Sequence, residues 1–227
     1  MSCLAQLLAA HGSILVFDAA SQRVQIGLLR TGQSPLWEHT ADEAGRGLFR
    51  GTETVLARAG ASLGDIAAFA YCEGPGSMLG TRTIAMALRT WLVLKPRPVF
   101  AYQSLALAGC AEWRRAPRRL AVIADARRES WHVQPVAADG RLGTAARLPT
   151  HELPAGELLM PAGFRVWSKP PAQLGSCDYD LAALTTASGD ADLFRPIETP
   201  DALQHEAPDY KKWTAQPHSA ATLAART

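Results

Sequence analysis

Two acids close short apolar runs in this chain. Asp18 ends Ser13 to Asp18 (Ser-Ile-Leu-Val-Phe-Asp), and Asp125 ends Leu120 to Asp125. Acids at the ends of buried strands can hold Mg²⁺ and orient a water toward a phosphate. The same placement serves equally well to cap a turn. The residues after Asp18 are Ala19 and Ala20, which carry no hydroxyl, so for this acid the capping reading is the favoured one. Between the two acids lies Glu73-Gly-Pro-Gly-Ser-Met-Leu-Gly-Thr-Arg82, after the apolar run Ile66 to Cys72 and before the apolar run Thr83 to Leu94. Gly74, Gly76 and Gly80 carry no Cβ, so another backbone or a ligand can come close. A helix starting there also offers free N–H groups to an anion or a carbonyl. It is not a P-loop, because no Lys-Ser or Lys-Thr follows the last glycine. Nor does it have the glycine spacing of a dinucleotide fingerprint. Glu73 reads as a turn residue with acid chemistry as the alternative. Arg82 is expected to pair with a nearby acid or carbonyl.

Metal chemistry has little to work with. The histidines are His11, His39, His132, His151, His205 and His218, and no two are four apart. The i, i+4 pair that lets one helix face chelate an ion is therefore missing. Cys3, Cys72, Cys110 and Cys177 form no CxxC pair, and Cys72 and Cys110 read as reduced core thiols, which suits a cytoplasmic protein. Among 227 residues, 23 Lys and Arg stand against 21 Asp and Glu, a net charge of +2. Such a balance argues against a dedicated nucleic-acid binder. The runs Arg114-Arg115, Arg118-Arg119 and Arg127-Arg128 are candidates for a nucleic-acid-facing patch, although charge runs beside proline are usually solvated. Leu4 to Ala10 is apolar with no basic residue ahead of it, so a signal peptide is not expected. No apolar run reaches membrane-spanning length.

These residues must be positioned by an α/β framework. Ser13 to Asp18, Arg23 to Leu29 and Pro35 to Thr40 read as three strands in meander order. Helices are expected over Asp42 to Ala59, Thr83 to Leu94, Ser104 to Trp113 and Asp180 to Ala187. Further strands are expected over Ile66 to Cys72, Val99 to Tyr102, Leu120 to Asp125 and Trp131 to Ala137. The Gly- and Pro-rich segment 139–171 reads as irregular. Gly45, Gly47 and Gly51 recur in one helix, at about 1 kcal/mol each relative to alanine. Close approach of another backbone would offset that cost. Thr83 to Leu94 is apolar on more than one side, which predicts burial on two faces. The strand, acid, turn and strand signature occurs at both Asp18 and Asp125, so the chain reads as two degenerate copies of one unit. We expect a first half over 1–100 to which the C-terminal segment returns, a more degenerate half over 101–200, and a tail or helix over 201–227.

On these motifs the chain resembles the bacterial TsaB (YeaZ) family of tRNA threonylcarbamoyladenosine biosynthesis proteins, closely over roughly the first 130 residues and loosely beyond. The resemblance rests on the strand ending at Asp18, the turn Gly74-Pro75-Gly76-Ser77-Met78-Leu79-Gly80-Thr81-Arg82, the Ser104-Leu105 pair, and Asp125-Ala126-Arg127. A weaker echo lies at Pro208 to Lys212. The turn departs from the family pattern at Met78-Leu79, where Phe-Thr is usual, and Glu129-Ser-Trp-His132 replaces Gly-Glu-Val-Tyr. The resemblance implies two ribonuclease H-like halves in the actin-like ATPase (ASKHA) architecture. It also implies a non-catalytic, glycoprotease-like pseudo-enzyme that binds a TsaD-like transferase and a TsaE-like ATPase in tRNA modification. With it come an expected homodimer in isolation, only indirect tRNA contact, no cofactor of its own, and ATP, ADP or Mg²⁺ bound weakly and only at the partner interface. Asp18 and Asp125 would then be vestigial nucleotide or Mg²⁺ residues. Two other readings compete: a stand-alone actin-like ATP-binding phosphotransferase, and a metallopeptidase. The helices Asp42 to Ala59 and Thr83 to Leu94 are expected to expose a partner patch at Gly47, Gly51, Met86 and Leu94.

Overall fold

The computed structural model describes residues 1–186 and 190–204. In chain order the elements are α1 (Leu4–His11), β1 (Ser13–Asp18), β2 (Val24–Arg30), β3 (Leu36–Thr40), α2 (Ala44–Arg58), β4 (Ala68–Gly74), α3 (Met78–Leu94), β5 (Val99–Gln103) and α4 (Ser104–Arg115). There follow β6 (Leu120–Asp125), β7 (Ser130–Val136), β8 (Ala146–Pro149), β9 (Leu158–Pro161), β10 (Leu174–Cys177), α5 (Ala183–Thr186) and β11 (Arg195–Ile197).

Two sheets form. One has the order β11-β5-β4-β1-β2-β3 and the other β10-β9-β6-β7-β8. Leaving out β11, the order is the same. In each, the strand ending in Asp pairs antiparallel with the next strand and parallel with the fourth, β1 with β2 and β4, β6 with β7 and β9. This internal repeat defines two ribonuclease H-like halves in the two-lobed actin-like architecture. The strands β8 and β9 fall in the segment 139–171 that the sequence reads as irregular, because each is only four residues long with glycine and proline close by. What returns to the first sheet is β11, antiparallel to β5, with Pro196 opposite Phe100. An edge strand tolerates a proline because its outer side needs no N–H donor. Of the expected C-terminal tail or helix over 201–227, everything from 205 on lies outside the described residues, as do His205, His218 and the echo at Pro208 to Lys212.

The layers around the sheets are unequal. Helices α2 and α3 cover one face of the first sheet through Leu48, Val55, Ile84 and Leu88, which pack with Phe17, Ile26, Phe69 and Tyr71. Helix α4 lies in the core cluster that links both sheets, with Leu105, Leu107 and Cys110 against Val16, Cys72, Val122 and Val136. Leu4 to Ala10, read only as an apolar lead-in, is the helix α1, whose Leu4 and Leu7 join the same core. In the second half, no described helix of α2's or α3's length stands between β8 and β9 or between β9 and β10.

Helix α3 begins at Met78, five residues before the expected Thr83. Its N-cap Ser77 accepts a hydrogen bond from the Gly80 N–H at 3.3 Å. The second half of the glycine stretch is therefore helix, not turn.

Candidate functional site

The glycine turn packs directly on the β1–β2 hairpin. The Ser77 N–H donates to the Ala20 carbonyl at 2.7 Å, and the Ser104 hydroxyl donates to the Pro75 carbonyl at 2.5 Å. The Gly74–Pro75 bond is cis. Gly76 has φ +148°, and a Cβ there would run into the Ala20 carbonyl; a Cβ on Gly80 would run into the Ala19 carbonyl. The glycines thus serve close approach of the protein's own backbone, wedged between the hairpin and the start of α4.

Asp18 is sealed. It has 0% exposure and accepts from the Tyr102 hydroxyl at 2.6 Å, the Tyr179 hydroxyl at 2.5 Å and the Ala20 N–H at 2.9 Å. Burial pushes its pKa up, against the pull of those hydrogen bonds. Tyr102 comes from the end of β5 and Tyr179 from the segment after β10, so one carboxylate ties the two halves together. The seam continues with the Arg23 guanidinium donating to the Tyr179 carbonyl at 2.8 Å and the Leu181 N–H donating to Gln25 Oε1 at 3.0 Å. An acid used in this way does not open on the cleft, and the vestigial Mg²⁺ reading of Asp18 is corrected accordingly. Neither tyrosine stood out in the sequence. Tyr102 sits in an ordinary apolar strand, and Tyr179 follows the least regular segment.

Asp125 does line the inter-half cleft, a space of about 220 Å³ bounded also by Ala19, Ser21, Ser77, Gly80 and Trp167. Its two oxygens are occupied. Oδ1 accepts from the Arg127 N–H at 2.5 Å and the Ser168 hydroxyl at 3.1 Å, and Oδ2 from the N–H groups of Trp167 and Ser168 at 2.6 and 2.5 Å. Partial burial raises its pKa, but the N–H groups of Ser168, Trp167 and Arg127 outweigh that and hold it below the ordinary value. Asp125 is a latch between the β6–β7 turn and the loop after β9. That turn is unusual: Arg127, Arg128 and Glu129 all lie at positive φ, 63°, 53° and 54°. Left-handed backbone costs a non-glycine residue roughly 1–2 kcal/mol, which the latch and the Thr150 N–H bond to the Glu129 carbonyl offset.

The remaining candidates separate. Glu73 is buried, accepts from Gln103 Nε2 at 3.3 Å and forms an ion pair with Arg195, so it anchors β11 and is not a cleft acid. Arg82 is exposed and, among the described residues, pairs with no acid or carbonyl, contrary to expectation. Gly47 and Gly51 are buried, which removes them from the expected exposed patch. A Cβ on Gly47 would stand 2.8 Å from Thr40 Cγ2, and one on Gly51 2.5 Å from Ile26 Cδ1. The expected approach of another backbone is not what these glycines serve: side chains of the protein's own sheet come close at Gly47 and Gly51, and nothing does at Gly45. Met86 and Leu94 are exposed, at 57% and 78%. With Leu79 and Val93 they mark a stripe missed in part by the sequence reading. Leu79, Met86 and Val93 are seven residues apart, two helical turns, and so lie along one line of α3. Phe49 of α2 is exposed as well, its ring 6.0 Å from Trp91.

Most of the first two arginine runs is spent on ion pairs: Arg114 with Asp190, Arg115 and Arg118 with the buried Glu112, and Arg118 also with Glu157 at 2.5 Å. Among the described residues no group of His, Cys, Asp and Glu is arranged to hold a metal ion. No described helix is long and apolar enough to cross a membrane.

A two-lobed, actin-like fold with a hairpin acid in each half is what the geometry defines. Among solved structures, YeaZ from Pseudomonas aeruginosa is similar, with a TM-score of 0.61 and 22% identity over 78% of this chain and 91% of that one. An uncharacterized protein with similarity to peptidase YeaZ from Pseudomonas aeruginosa is similar too, with a TM-score of 0.61 and 21% identity over 78% and 89%. The chain has the YeaZ fold. No family model and no curated protein matches it.

Proposed function

We propose that this protein is a non-catalytic partner subunit that works by docking, and that its partner is a TsaD-like threonylcarbamoyl transferase of tRNA modification, with a TsaE-like ATPase joining the assembly. The observation that carries the reading is the apolar stripe on α3, where Val93 is 84% exposed and Leu79 69%. Side chains of this kind left in water on a single helix line call for a protein surface to bury them. The YeaZ fold supports the family assignment. The same stripe serves a homodimer when the protein is alone, since the proposed partner shares its architecture.

The cleft supports the pseudo-enzyme side of the reading. Asp18 is closed off by two phenols, Asp125 spends its oxygens on a loop, and the cleft is smaller than the roughly 300–1,000 Å³ of ordinary ligand sites. Nucleotide or Mg²⁺ would then bind, weakly, only where a partner completes the site. The place of action is the cytoplasm.

Co-purification from the native host tests the proposal, with Met86→Glu as the probe. The transferase is expected to accompany the wild type and to be lost from the variant, whose fold is unchanged because Met86 is exposed. A transferase that stays with Met86→Glu, or never accompanies the wild type, sinks the assignment. Tight ATP–Mg²⁺ binding by the pure chain would favour the phosphotransferase instead.

A further inference from the structure

The third arginine run differs from the first two. Arg127 and Arg128, with Arg165 and Lys169 on the loop after β9, are exposed and make no ion pair among the described residues. Asp125 fastens the two segments together, so the four cations stand on neighbouring pieces of one surface. The acids in these segments are Asp125, whose oxygens are filled, and Glu129. At the centre lies Trp167, 53% exposed, with the Arg127 guanidinium 4.6 Å above its ring centroid. Arg127 covers one face of the indole, which leaves open surface on an aromatic ring flanked by cations on its own segments, with Asp42 and Glu43 lining the same cleft from the other half.

We infer that this patch binds single-stranded nucleic acid, with phosphates on Arg128, Arg165 and Lys169 and an unpaired base stacked on Trp167. Each component has its physical reason. Unpaired guanidinium and ammonium groups release counterions on meeting a phosphate backbone. A planar ring of fixed orientation takes the face of any base, but only a base free of a duplex. Three consecutive left-handed residues, held by the latch, carry the two arginines, and Arg127 lies over Trp167. The inference stands apart from the docking reading, because α3 contributes none of these residues.

The test is fluorescence anisotropy of the full chain with a labelled unstructured oligonucleotide of about twelve residues, a length within the span such sites cover. RNA and DNA strands, their duplexes and anionic vesicles are the arms. Saturable binding to single strands that weakens with salt is expected. Trp167→Ala should weaken it on the order of tenfold, and Trp167→Phe should restore most of that. The combined Arg128→Gln, Arg165→Gln and Lys169→Gln variant should lower the salt slope by about two, at ~0.7 for each phosphate contact on a single strand. Equal affinity for RNA and DNA assigns the site to phosphate and base face, and a preference for RNA adds a 2′-hydroxyl contact. The inference is overturned by equal or tighter binding of duplexes or vesicles, by no single-strand binding, or by an equal loss in the control Arg114→Gln with Arg141→Gln. Those two arginines are already paired with Asp190 and Asp139. Met86→Glu should leave this binding untouched, so failure here and failure of the docking reading are told apart.

Discussion

The two halves share a strand order but not a cover. The first sheet carries α2 and α3 after β3 and β4, where the second sheet has one short 3₁₀ turn after β8 and a loop after β9. The acids at the ends of β1 and β6 follow the same division. Asp18 lies where helices and the opposite half close over it, and it becomes a buried tie between halves. Asp125 lies where the covering helix has been replaced by the 162–173 loop, and it holds that loop in place. Equivalent positions in a repeat thus serve different ends, and the difference follows from what packs above them. The thicker half presents the exposed apolar stripe of α3; the thinner half presents a charged loop around Trp167.

The largest test of this contrast is to remove each acid in turn. Asp18→Ala leaves two phenol hydroxyls and the Ala20 N–H without an acceptor in a dry interior. The expected loss is about 4 kcal/mol, at roughly 1–3 kcal/mol for each unsatisfied buried group. Asp18→Asn keeps an acceptor for Ala20 and gives the phenols a donor, so its loss should be about 1 kcal/mol. Urea unfolding of both variants measures this, and equal losses would mean that Asp18 is not the tie described.

Next comes Gly80→Ala, in which the added methyl meets the Ala19 carbonyl, part of the backbone and unable to swing away. About 2–3 kcal/mol of destabilisation is expected from such overpacking. Gly45→Ala is the control in the first turn of α2, since a Cβ there meets nothing within 4 Å. It should be neutral or slightly stabilising, by less than about 1 kcal/mol. A neutral Gly80→Ala would show that the hairpin yields and that the wedge is not rigid.

Asp125→Ala should cost about 1–2 kcal/mol, less than Asp18→Ala, because its partners are near solvent and water can replace the carboxylate. Its distinctive effect is local. With the latch gone, limited proteolysis should cut between Arg165 and Lys169 faster than in the wild type, while the first half stays protected. Uniform loosening of both halves would contradict the division of roles.

How much of this was legible in the sequence follows from the kind of signal each part leaves. The repeated strand, acid and turn is a local pattern, so both acids and most strands of the first half could be read directly. Strands β9 and β10 could not, since four residues beside glycine and proline give no alternation to count. Gly47 and Gly51 signalled a close approach but not its object, because a missing Cβ says nothing about which surface comes near. The partners of Asp18 were out of reach: Tyr179 is 161 positions away in sequence, and only folding makes them neighbours. Trp167 did leave a trace, an aromatic flanked by Arg165 and Lys169 in an otherwise irregular segment.

The smallest effect, and the sharpest contrast, is in pH. The pKa of Asp18 is raised on folding, so between the unfolded value near 3.8 and the folded value the native state holds more protons than the unfolded one. Stability from this group therefore falls as pH rises through that window. The pKa of Asp125 is lowered, so its contribution is fully present above the unfolded value and is lost as pH falls below about 3.8 toward the folded one. Subtracting each Asn variant from the wild type isolates the two slopes. The wild type should lose ground to Asp18→Asn as pH rises above about 3.8 and through the folded value. Against Asp125→Asn it should hold a constant difference over that range, which shrinks only in stronger acid. The same sign for both would mean that the two acids share an environment. Opposite signs are what a buried tie and a solvent-edge latch require, because desolvation rules the first carboxylate and N–H donors rule the second.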